Sequence, residues 1–228
     1  MKIKSAILIL MLAAAVVRAQ SSNYVYSFTE NLTIPAGNPV GVSFSTNLTG
    51  MSFGGMTISN VTVSLDISGG FNGNLYAYLA GPGGTFAVLL NRSGMSSGNA
   101  FGYANSGFNI TLNDQVNSGN IHTYQNDSPS YNGSGQLTGT WAADGENVDP
   151  NSSPSVFDTA VDTVGLSALA GGNPDGQWTL FLADLASGPQ STVVSWSLDI
   201  MTVPEPSTLA LAGLGGMAAL VAFRRRVG

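Results

Sequence analysis

Few residues in this 228-residue chain have types and spacing suited to chemistry. Gly94-Met95-Ser96-Ser97-Gly98 spells G-x-S-x-G, and Ser96, Asp114 and His122 even follow hydrolase chain order. A nucleophile elbow needs a strand before its serine and a helix after it. The following "NAFGYANSG" is not helical, so the segment is expected to be a Gly/Ser loop. Asp144, Glu146 and Asp149 place hard oxygen ligands for a cation such as calcium in one loop, without EF-hand spacing. A solvated acidic surface would look the same. Tyr76, Tyr78, Tyr103, Tyr124, Tyr131 and Trp141 are candidate sugar-stacking rings, with Tyr76 and Tyr78 on one strand face. Strand tyrosines equally pack their neighbours. Gly213-Leu214-Gly215-Gly216-Met217-Ala218 fits a dinucleotide fingerprint by letters alone, since no βαβ unit surrounds it.

Both ends are expected to be processing segments. Lys2 and Lys4 precede an apolar run from Ala6 to Val17, then Val17-Arg18-Ala19 supplies small residues for signal peptidase. Cleavage after Ala19 is expected, which makes 1–19 a signal peptide. The intervening core, 20–203, holds twelve acidic residues against Arg92 alone, a net charge of about −11. Such a surface repels nucleic acid and attracts cations. With no cysteine, an exported chain has no disulfide staple, yet the core is long enough to bury one hydrophobic centre unaided.

The elements that must position these residues are strands. Val61, Val63, Leu65 and Ile67 alternate with Thr62, Ser64 and Asp66, the period of a half-buried strand. "NLYAYLA", "TFAVLLN", "FNITLND", "QWTLFLADL" and "VVSWSLDI" are further strands, the last with Val194, Trp196, Leu198 and Ile200 on one face. "YVYSFT" and "VGVSFST" are weaker candidates. Trp178 and Trp196 are assigned to the core. Gly/Pro/Asn turns separate the runs, which argues for an all-β antiparallel sandwich. Residues 115–170 are looser, with long surface loops and one short helical turn at "VGLSALAG".

The order of these segments resembles the P domain of proprotein convertases (P/Homo B). The first half lies in "ISNVTVSLDISGGFNGNLYAYLAGPGGTFAVLLNRSG" and the second in "LSALAGGNPDGQWTLFLADLASGPQSTVVSWSLDI". The Asn173–Leu180 segment and the closing Trp196-Ser197-Leu198 are specific in combination. The resemblance implies a jelly-roll β-sandwich over 20–203 and an association with subtilisin-like serine proteases. It does not import catalysis: His122 precedes Thr123 rather than the Gly-Thr of a subtilisin motif, and no Gly-Thr-Ser-Met segment exists. Some P domains bind calcium through acidic turns. The matching positions are Asn74, where the family usually has Asp, with Asp114 and Asp184.

Residues 204–228 resemble a PEP-CTERM sorting signal: Pro204-Glu205-Pro206, an apolar run and the cluster Arg224, Arg225, Arg226. The resemblance implies handling by an exosortase-type transpeptidase of Gram-negative bacteria. The physics agrees. The apolar run from Thr208 to Phe223 is about 24 Å long as a helix, short for a hydrocarbon core of about 30 Å. The arginines hold its end in the cytoplasm, and the prolines keep the junction extended. The expected life history is an inner-membrane intermediate followed by the cell surface or extracellular matrix. The expected job is a non-catalytic interaction module, with loops 115–170 as the partner surface. A calcium- or glycan-binding module and an accessory to a separate subtilisin-like protease are the alternatives. An exopolysaccharide matrix and such a protease are the corresponding partners.

Overall fold

The computed structural model describes residues 20–116 and 119–205. The segment expected to be a signal peptide, 1–19 with Ala19, and the tail from Pro206 onward, with Arg224–Arg226, lie outside the described residues. Ten strands form two layers. β1 (Ser22–Ile34), β10 (Ser191–Pro204), β3 (Met56–Gly69), β6 (Phe108–Leu112), β8 (Leu137–Trp141) and β7 (Ser130–Tyr131) lie in that order in one sheet. β2 (Asn38–Leu48), β9 (Gly176–Asp184), β4 (Leu75–Ala80) and β5 (Phe86–Asn91) make the other.

The alternation read along the sequence becomes the inner face. Val61, Val63, Leu65 and Ile67 of β3 are buried together with Leu75, Ala77 and Leu79 of β4 and Trp178, Leu180 and Leu182 of β9. Trp178 is fully buried and its indole N–H donates to the Pro174 carbonyl at 2.9 Å. Trp196 stacks on Phe28 at 4.4 Å and donates to Glu30. Both tryptophans therefore meet the rule that a buried indole N–H finds an acceptor.

Three expectations need correction. β6 and β8 pair in parallel, so the larger sheet is mixed rather than purely antiparallel. β8 lies inside the stretch expected to be loop. In β10 a register shift between Val193 and Ser195 turns Val193 into the core and leaves Val194 half-buried, because the extra residue of a bulge resets the alternation. The remaining expected strands are present, and "VGLSALAG" does contain a helical turn, a 3₁₀ segment at Leu166–Leu169.

The inner face stabilises the domain and the outer face hardly does. Leu180→Ala should lower unfolding free energy by about 2–5 kcal/mol. Ser45→Ala, which removes an exposed hydroxyl pair with Thr179, should stay within about 0.5 kcal/mol. Denaturant melts of the two variants check this contrast.

Candidate functional site

The densest polar cluster lies at the free edge of β5. Asn91, the last residue of that strand, is fully buried. Its backbone N–H donates to Asp144 Oδ2 at 2.9 Å, and its side-chain amide donates to the carbonyls of Glu146 and Val148 at 3.1 and 3.0 Å. The 144–148 segment is thus stapled along β5, where Asp144 N–H and Gly145 N–H donate to Leu89 and Val88. Gly145 makes the turn possible. Its φ is +69°, and a Cβ there would collide with the Asp162 carboxylate.

His122 enters from a 3₁₀ segment, Ile121–Asp127. Asn120 positions it: Oδ1 accepts from the His122 N–H at 2.7 Å, while Nδ2 donates to the Ala143 and Asp144 carbonyls. The imidazole lies parallel to the Phe157 ring at 5.9 Å. Nδ1 is 3.0 Å from Asp144 Oδ2 and 3.8 Å from Glu146 Oε2, and Nε2 is 3.1 Å from the Met95 carbonyl oxygen. Acceptors face both ring nitrogens, so the ring donates twice, as an imidazolium. Burial opposes that charge, but the Asp144 hydrogen bond and the charges of Asp144 and Glu146 outweigh it and push His122 up to about 9. Burial and the Asp144 charge push Glu146 up to about 7, against the pull of His122. Asp144 is fully buried; burial pushes its carboxyl up, and His122 and the Asn91 N–H pull it back.

Among the described residues, His122, Asp144 and Glu146 are the one group of three that could hold a metal, with ligand atoms within 4.8 Å of one another. In that state Nδ1 would be a lone-pair donor, and the Nε2–H bond to Met95 would fix the tautomer. A nitrogen with two carboxylates suits zinc better than calcium, which prefers oxygen throughout.

The positions proposed from sequence are distributed differently. Asn74 and Asp184 do come together where β4 and β9 meet: Leu75 pairs with Asp184, and the Leu185 N–H donates to the Asn74 carbonyl at 2.9 Å. Their neighbour is Arg92, whose Nε donates to the Gly73 carbonyl at 2.6 Å, so a cation already stands there. Asp184 Oδ2 is buried without a hydrogen-bond partner. Asp114 does not join them; its two oxygens accept from Ala143 N–H and Ser167 N–H. Asp149 makes a local turn with Asn151 and leaves the Asp144–Glu146 pair.

Ser96 forms a short bridge with Asn99, and His122 Nε2 is committed to the carbonyl of Met95 beside it. The histidine's carboxylate is Asp144, not Asp114. Tyr124 and Trp141 pack in the core and cannot stack on a sugar, while Tyr76 and Tyr78 share a half-buried face with Phe181. The role of His122 was hidden from sequence. The one available signal was Asn120, a capping residue two positions ahead of the sole histidine.

The proprotein convertase P-domain model matches residues 58–200, well over half of the chain. This chain belongs to the P-domain family. A PEP-CTERM protein-sorting motif matches residues 202–226. No curated protein matches. Similar solved structures include a serine protease of Aeromonas sobria in complex with a chaperone, at 13% identity and TM-score 0.45, covering 81% of this chain and 27% of that one. The serine protease of Aeromonas sobria is similar at 13% identity and TM-score 0.44, covering 80% of this chain and 27% of that one. The P domain is an accessory domain rather than a catalytic one. The sorting signal marks the chain for export through the membrane to the cell surface and for processing by an exosortase-type system.

The charge cluster makes stability depend on pH with a definite sign. His122 has a folded value above its ordinary 6.5, so its contribution is complete below about 6.5 and lost as pH rises through about 9. Glu146, raised above 4.5, makes the folded state lose ground as pH rises through about 7. Thermal melts in chelator should therefore show stability falling between about pH 5 and pH 9.5, with His122 supplying on the order of 2–3 kcal/mol of the loss. Glu146→Gln should flatten the lower half of that curve and leave the upper half.

Proposed function

We propose that this P-domain chain is a non-catalytic interaction module of the bacterial cell surface or extracellular matrix. In this reading it is held briefly in the inner membrane of a Gram-negative-type cell by its sorting tail. One observation carries the reading: the sandwich runs without a linker into the sorting motif, which begins at Thr202 inside β10. The domain is therefore what the signal delivers. The commitment of His122 to Asp144 and the Met95 carbonyl supports a structural rather than a nucleophilic role for the G-x-S-x-G loop. The stretch between 115 and 170 presents Val156, Val161 and Tyr131 to solvent on this rigid frame, the usual place for recognition. An exopolysaccharide matrix or a separate subtilisin-like protease would be the partner there.

Intact mass spectrometry of the native protein from the cell-surface fraction tests this. The expected mass lacks the first 19 residues and everything after about Pro206. A tail still ending in Arg-Arg-Arg-Val-Gly overturns the sorting step. In parallel, a fluorophosphonate probe should leave Ser96 unlabelled; labelling there would restore the hydrolase reading.

The geometry of His122, Asp144 and Glu146 favours a second reading, a divalent-cation site that locks the 144–148 segment. Zinc should then raise the melting temperature of the wild-type domain, reversibly with chelator, and calcium should do so less. Glu146→Gln should abolish the shift. Equal melting temperatures with and without zinc exclude the site.

A further inference from the structure

Strand pairing places both ends of the described chain at one pole of the sandwich. β1 begins at Ser22, paired with Thr202, and β10 ends at Pro204, paired with Met56. Beyond it the Glu205 N–H donates to the Gly55 carbonyl at 3.0 Å. The loop that supplies Gly55 is built to hold one aromatic ring in solvent. Its root is fixed: Met51 is buried, and the Asp175 carboxylate accepts from Met51 N–H, Ser52 N–H and Ser52 Oγ at 2.7, 3.2 and 2.6 Å. Its tip is a tight turn closed by Gly55 N–H to the Ser52 carbonyl, with Gly54 and Gly55 both at positive φ. At that tip Phe53 is 89% exposed, the largest exposure among the large apolar residues of the described chain.

We infer that Phe53 is a membrane-contact residue that seats this pole of the domain on the lipid interface while the sorting tail is in the bilayer. The inference rests on the reading of the tail as a transient span. Geometry then leaves little freedom. Only three residues lie between Pro204 and Thr208, where the apolar run starts, and the four steps fully extended reach about 14 Å. Phe53 is two residues from Gly55, the partner of Glu205, so it lies within about 7 Å of that exit along the chain. A domain tethered this closely presents the same pole to the bilayer at high effective concentration. An aromatic ring on a rigid turn partitions into such an interface, as aromatic belts do. Two carboxylates flank the contact: Asp175, turned onto the Met51–Ser52 backbone by three donors, and Glu205 at the exit itself. Among the described residues no lysine or arginine lies at this pole, which points to a zwitterionic rather than an anionic surface.

The chain has no cysteine, so single labels are clean. Full-length protein carrying Phe53→Cys, Phe101→Cys or Ala218→Cys is labelled with a polarity-sensitive fluorophore. Each is then reconstituted into phosphatidylcholine vesicles with and without quencher lipids. Phe101 is the control, because its carbonyl abuts Gly73, beyond the far end of β3, about 40 Å away along that strand. The expected result is a blue shift and loss of more than about half of the emission at 53 and 218, with position 101 unchanged. Quenching at 218 without quenching at 53 overturns the contact and leaves the tail reading intact. An unquenched 218 overturns the tail reading, and the contact with it. Shielding of 53 that appears only when the sorting transpeptidase is added assigns the ring to a protein partner and overturns the lipid contact.

Discussion

The last strand of the fold is a central strand, and the rest of the structure depends on that pairing. β10 lies between β1 and β3, so the six-stranded sheet cannot close until residues up to Pro204 have joined it. Ser22 must find Thr202 across nearly the whole domain, the non-local pairing that slows folding. The sorting motif begins at Thr202. Folding and sorting thus share residues 202–204. The described molecule has two poles: one belongs to Ser22 and Pro204, the other to the turns around Asn74, Arg92 and Asp184.

The second constraint is the edge of the smaller sheet. β5 would expose a row of unpaired backbone groups, and the 143–146 segment covers it. Asn91, Asn120, His122 and Asp144 hold that cover in place through hydrogen bonds that saturate the imidazole and bring three donors to the Asp144 carboxylate. Removing either partner of such a buried pair would leave an uncompensated charge, so the pair holds the geometry of the cover. The structure gives the residues whose order mimics a hydrolase other partners. The imidazole already has two partners, neither of them a serine.

Legibility in the sequence tracked the range of the interaction. Val61–Ile67 and Trp178–Leu182 could be read because period-2 burial is a local property of a strand. The inner place of Val193 could not, because a bulge is decided by the partner strands β1 and β3. β8 was missed because "LTGTW" carries a central glycine and no clear apolar alternation, and its strand character comes from pairing with β6 and β7. The candidate site failed in the same way. Asp144 and Glu146 were visible as ligands in one loop, but His122 lies 22 residues before Asp144, beyond β7 and β8, and is guided there by an asparagine cap. The pair Asn74 and Asp184 was found through family resemblance, and Asp114 was separated from it by backbone partners that no motif encodes.

Charge distribution joins these pieces. Arg92 is the single lysine or arginine among the described residues, and it is turned inward, only 9% exposed. The surface is therefore anionic with nothing to neutralise it, which keeps copies of the domain apart and favours cationic or cation-bridged partners. The fold engages several of its acids: Asp175 accepts from the Met51–Ser52 turn, Glu30 accepts from Trp196, and Asp144 is enclosed with His122.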